Sequence, residues 1–159
     1  MPTPGQFRCR MTRVGACGFM VAYLDSSVVL RHVLKGDNAL RHAMQCDSAI
    51  SSELLEIECR RVLHRCRMQA ELDDERFIIA LDRLATVLAG IDLLHLGAAV
   101  KHRAMESFPT TLKTPAALHL ASAVVWSGHN PGNQLLVYSH DNQFNNCAKA
   151  LGFLVPLSV

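Results

Sequence analysis

The sequence has no surplus of charge. It carries 16 basic and 14 acidic residues, a formal net charge of +2 over 159 residues. A chain that holds nucleic acid by bulk cationic charge is thereby excluded, and any polyanion must be met by local charge or by metal ions. Aromatic residues are also scarce, with one Trp and two Tyr, so single-strand binding on stacked aromatic platforms is not expected. No apolar run reaches the roughly 20 residues of a membrane-spanning helix. The richest stretch, 84–100, is broken by Asp92 and His95, and no membrane partner is expected.

The six cysteines (9, 17, 46, 59, 66 and 147) form no C-x-x-C pair and stand at no zinc-finger spacing with histidines. Cys59 and Cys66, seven apart in one helical pattern, share a face as small apolar fillers. Free thiols in a reducing compartment, and hence a cytoplasmic location, are the expectation. Ahead of the apolar run 14–24 stand Arg8, Arg10 and Arg13 with no acid. This imitates a signal peptide, but no small-x-small cleavage site follows. Residues 1–18 are read as a flexible extension, or as a start assigned too early with Met20 as the true start. The domain is 19–159.

Half of the chain is apolar, enough for one domain with a real core. FMVAYL (19–24), SAIS (48–51), IDLLHL (91–96) and QLLVYS (134–139) read as buried strands. FLVP (153–156) is a candidate fifth, at the edge. Helical patterns lie between them: 27–35, stopped by Gly36; a short one at 38–46; a long one capped by Ser52; and 77–88, capped by Asp73 or Asp74. Further patterns follow at 97–108, at 116–126 and at 142–151, the last stopped by Gly152. Thr114-Pro115 predicts an N-cap followed by the first helical residue, with the helix ending before Ser127-Gly128. Apolar strands alternating with helices predict an α/β fold of three layers, α/β/α, around a central parallel sheet of four to five strands.

Sites in such sheets lie beyond the carboxyl ends of the strands. Asp25 follows the first strand and Asp141 the fourth, and Glu58 lies about two turns into the helix after the second. Three converging carboxylates repel one another and call for cations, Mg²⁺ or Mn²⁺ by the hardness of their oxygens. Simpler readings stand beside this one. Asp25 and Asp141 each suit a helix cap, and Glu58 suits an ion pair with Arg61 or Arg65. His119 reads as a half-buried helix histidine bonded to a backbone group, with a pocket-facing role as its rival, and His140 as solvent-facing. Arg60, Arg61, Arg65 and Arg67 form either a solvated helix face or a patch that holds phosphates.

Four segments carry a family resemblance: MVAYLDSSVVL (20–30), SSELLEIECRRVL (51–63), LKTPAALHLASA (112–123) and VYSHDNQFNNCAKALGF (137–153). In order and spacing they resemble PIN-domain proteins, and most of all the VapC toxins of bacterial toxin–antitoxin pairs, from Met20 to the C-terminus. The resemblance implies a metal-dependent endoribonuclease whose cluster of four acids cleaves RNA. Asp25, Glu58 and Asp141 match the first, second and fourth acids, and all three are implied to be catalytic and metal-holding with Mg²⁺ or Mn²⁺. Ser27, Ser139 and Thr114 match supporting hydroxyl positions. Ala116 stands where the pattern T-x-D-A-x-H-L-A expects the third acid. That change removes one ligand and one charge, through a naturally degenerate gene or a deliberate replacement. The resemblance also implies a homodimer, a VapB-like antitoxin that covers the site, and contacts to RNA or antitoxin by Arg60, Arg61 and Arg65. The alternative is a non-catalytic module of the same fold that binds RNA or an antitoxin. Asp25 also suits an aspartate nucleophile of the haloacid-dehalogenase type, but that pattern wants Asp where Ser27 stands.

Overall fold

The computed structural model describes residues 18–157. Residues 1–17, which hold nearly all of the predicted extension together with Cys9 and Cys17, lie outside the described residues. Four strands, β1 (Met20–Leu24), β2 (Ser48–Ser52), β3 (Asp92–Leu94) and β4 (Gln134–Tyr138), form one parallel sheet in the order β3-β2-β1-β4. Between β1 and β2 run α1 (Ser26–Lys35) and α2 (Ala39–Ala43). Between β2 and β3 run α3 (Leu54–Met68) and α4 (Asp74–Leu88). Between β3 and β4 run α5 (Ala98–Met105) and α6 (Thr114–His129), and α7 (Asn142–Ala150) follows β4. The three-layer α/β/α expectation is met.

Strand alternation divides the core in two. Ala22 and Leu24 of β1 face one cluster, with Val28 and Val29 of α1, Leu55 and Leu63 of α3 and Leu84 of α4. Val21 and Tyr23 face the other, with Leu120 and Ala123 of α6 and Phe144 and Cys147 of α7. The sheet therefore separates α1, α3 and α4 from α6 and α7. Gly36 and Gly152 close α1 and the turn after α7 at φ +70° and +90°, left-handed values that suit a residue without a side chain. Asp73, not Asp74, caps α4, its side chain accepting from the Arg76 N–H at 2.8 Å.

Several predicted boundaries move, each for a physical reason. Ser52 is the last residue of β2 and not the cap of α3, because its hydroxyl is turned to a long-range partner, His119. Glu53 takes the cap position with no side-chain cap bond. Its carboxylate instead accepts the Leu96 N–H at 2.9 Å. That bond draws the chain away from the sheet, so β3 stops at Leu94 instead of reaching 96. Lys113 is the cap of α6, which moves Thr114 into the first turn with Pro115 behind it. α6 also runs on through Ser127-Gly128 to His129, where the Asn130 side chain donates to the Trp126 carbonyl at 2.8 Å. α5 is shorter than the predicted 97–108. The 153–156 segment gives one bridge, Leu154 to Leu136, between the left-handed Gly152 and Pro156, which has no N–H to offer.

Cys46, Cys59, Cys66 and Cys147 are free thiols. Burial pushes the Cys59 thiol up to about 12, and the neighbouring Glu58 charge adds to the rise. Iodoacetamide at mildly alkaline pH is therefore expected to spare Cys59 in the native protein and to modify it in urea, as read by peptide mass mapping. Native modification of Cys59 would contradict the packing of α3. The Leu96 N–H, followed by the His95 ring, holds the Glu53 carboxyl below the usual Glu range. A depressed folded-state value stabilises above the unfolded value of about 4.3, and that contribution is lost as pH falls through the depressed one. Glu53→Gln is expected to flatten the fall of the urea midpoint in that acid range, and an unchanged slope would refute the assignment.

Candidate functional site

The parallel order puts the carboxyl ends of all four strands on one edge, and Asp25 leaves β1 at that edge. Its N–H donates to the Tyr138 carbonyl at 3.0 Å, which ties the backbone to β4. Its Oδ2 accepts from the Ser27 hydroxyl at 2.6 Å, the Ser139 hydroxyl at 2.8 Å and the Ser27 N–H at 3.3 Å. The His140 N–H donates to Ser27 Oγ and the Asp141 N–H to Ser139 Oγ, both at 3.0 Å. Each hydroxyl thus receives a backbone proton and directs its own to Asp25. Three donors hold one carboxylate oxygen, and Oδ1 has no donor among the described residues. Asp25 does cap α1, as the simpler reading has it, and it is buried as well.

Glu58 reaches the same place from α3, on the other side of the sheet from α6. Its Oε2 lies 2.8 Å from Nε2 of His119, with the Glu58 side chain 23% exposed and the His119 side chain 1%. The expected ion pair of Glu58 with Arg61 or Arg65 does not form. Nδ1 of His119 lies 3.0 Å from the Tyr23 hydroxyl and 3.1 Å from Ser52 Oγ. Tyr23 also meets the imidazole edge-on, the centroids 6.0 Å apart. His119 is thus fully buried and bonded to side chains, where the sequence suggested half burial and a backbone partner. Strand parity explains the difference. Tyr23 points to the α6 side, and Ser52 ends the neighbouring strand beside it. Burial pushes the Tyr23 hydroxyl far above its ordinary range, so it stays neutral.

Asp25, Glu58 and His119 each offer one ligand atom, and the three atoms lie within 4.8 Å of one another. Asp141 stands outside this group. It is exposed, and its Oδ1 caps α7 through the N–H groups of Gln143 at 2.8 Å and Phe144 at 3.2 Å. Ala116 is half-buried against the α6–α7 core and offers no donor. Thr114 is exposed in the first turn of α6, on a groove shared with Lys101 and Leu112. Arg60 pairs with Glu56 at 2.7 Å on the exposed face of α3. Arg61 and Arg65, also exposed, follow Glu58 by three and seven residues and so extend its stripe of the helix. Arg67 pairs with Asp74 at 2.8 Å. His140 is half-buried instead of solvent-facing, its Nε2 3.7 Å from Asp37 Oδ1.

Tyr23 and Ser52 belong to this constellation and were not legible as such. The available sign was a lone hydroxyl-bearing ring in an apolar strand, which needs a polar partner once buried. Two carboxylates and an imidazole form a donor set that fits a divalent cation, with one Asp25 oxygen held by protein donors and the other free.

No family model matches this chain, and no curated protein matches it by sequence. A solved structure does match in fold: VapBC2 from Rickettsia felis bound to a DNA fragment from their promoter. The match has a TM-score of 0.61 and covers 86% of this chain and 97% of that chain, at 9% identity. At so low an identity the likeness is one of fold, and the fold of this chain is PIN-like.

Proposed function

We propose that this chain is a metal-dependent endoribonuclease of the VapC toxin type. The observation that carries this reading is the convergence of Asp25, at the end of β1, and Glu58 of α3 at the carboxyl edge of the sheet, beside His119 from the helix on its other side. The PIN-like fold and the four sequence segments support it. Asp25 and Glu58 would hold Mg²⁺ or Mn²⁺, with Asp141 flanking the site from the cap of α7. A cation bound there supplies Lewis-acid activation of water and of the scissile phosphate. Ser27 and Ser139 fix the Asp25 carboxylate through one oxygen, and the other has no protein donor among the described residues. Arg61 and Arg65, in line behind Glu58, offer positive charge to the phosphates of an RNA strand or to an acidic segment of an antitoxin. The partners are then an RNA substrate, an antitoxin like that of the VapBC2 pair, and a second copy of the chain.

Ala116 favours a second reading, a non-catalytic module of this fold that binds RNA or an antitoxin. It stands one turn before His119 and contributes no ligand. The two readings separate in one assay, in which RNA is incubated with Mg²⁺ or Mn²⁺ and either this chain or Ala116→Asp. The Asp variant is expected to cleave on the order of tenfold faster or more, the usual scale for losing a metal-supporting group. Cleavage by neither protein removes the nuclease reading. Equal rates would show that position 116 has no part in the site.

A further inference from the structure

We propose that His119 is itself a metal ligand. Asp25, Glu58 and His119 then form a mixed oxygen–nitrogen site that prefers a divalent first-row transition ion to Mg²⁺. The proposal rests on the reading above only in that the site holds a cation, and it does not depend on nuclease activity.

Nε2 of His119 and Oε2 of Glu58 are 2.8 Å apart. Two ligands on one ion, with bonds of about 2.1 Å at right angles, stand about 3 Å apart. The pair is therefore already spaced to share an ion. The other ring nitrogen has the support that metal-bound imidazoles use. Nδ1 lies within hydrogen-bond distance of the Tyr23 and Ser52 hydroxyls. Either hydroxyl can accept the Nδ1 proton, which leaves the Nε2 lone pair directed into the site. The ring is fully buried and edge-on to Tyr23, so its orientation is set before any ion arrives.

The oxygens are arranged with the same economy. Ser27 and Ser139 hold one oxygen of Asp25 and leave the other for an ion. At its near end α6 brings Ala116, which carries no donor, and His119 one turn later. This helix therefore supplies nitrogen and no oxygen. Imidazole suits Fe²⁺, Ni²⁺ and Zn²⁺, and Mn²⁺ opens the same affinity series at its weak end, whereas Mg²⁺ keeps to oxygen ligands and gives up its waters reluctantly.

The test is pulsed electron paramagnetic resonance of the full chain with Mn²⁺ as the probe. Nitrogen modulation is expected from the bound ion, with a pattern that changes when histidine alone is isotopically labelled. Asp25→Asn is expected to abolish it. His119→Gln, with its fold checked by circular dichroism, is expected to lose the modulation. If that variant does not fold, the labelled native chain and Asp25→Asn decide the matter. An excess of Mg²⁺ of about tenfold is expected to leave Mn²⁺ in place.

Asp25-dependent Mn²⁺ binding without histidine nitrogen would overturn the proposal and leave His119 as a residue that only positions Glu58. Nitrogen coupling that survives in Asp25→Asn, displacement by equimolar Mg²⁺, or no binding of Mn²⁺ would overturn it as well. Nitrogen coupling in this chain, with no RNA cut by it or by Ala116→Asp, would sink the nuclease reading and leave this one standing.

Discussion

The contact between Glu58 and His119 joins two layers that the sheet otherwise keeps apart. α3 is anchored in one apolar cluster through Leu55 and Leu63, and α6 in the other through Leu120 and Ala123. Beyond the carboxyl ends of the strands a carboxylate and an imidazole meet at 2.8 Å across that divide. A buried polar group without a partner costs about 1–3 kcal/mol. The helices must therefore dock in a register that brings these two side chains together. Tyr23 and Ser52 brace the imidazole from below, so the alternation of β1 reaches the site through one hydroxyl.

The acids themselves are kept tolerable by what surrounds them. Asp25 stands at the N-terminus of α1 and Asp141 at that of α7, each accepting helix N–H groups. The positive end of a helix dipole offsets part of each negative charge. Asp25 divides its work between its two oxygens, one satisfying the helix and the serines and one left over. Capping and ligation are usually weighed as rival explanations of an Asp after a strand. At Asp25 they coexist.

Most of the framework was legible because it is local. Buried parallel strands show as short apolar runs, and the strand ends locate Asp25, Ser27 and Ser139 without reference to anything distant. The approach of Glu58 followed from its place early in the helix after β2, just over one turn into α3. What escaped the sequence is what depends on partners far along the chain. Ser52 has the local marks of a helix cap, yet its hydroxyl bonds a residue 67 positions away. His119 looked like an ordinary helix histidine because neither Tyr23 nor Glu58 is near it in sequence. Asp141 fits both a cap and a cluster by position, and its side chain is committed to the helix. At Thr114 the Thr-Pro signature was right about the helix and one residue late about the cap, since Lys113 already has the extended backbone of a cap.

The two borders of the sheet also bear on how the chain avoids sticking to itself. β3 is three residues long, with Asp92 exposed, and the chain then turns away under the hold of Glu53. β4 is bridged by Leu154, just before Pro156. An unguarded strand border is a template for runaway stacking of chains, and short, charged or covered borders blunt it. Neither border here offers a long row of unpaired amides to a neighbour. Among the described residues, growth by adding strands is therefore disfavoured at both borders.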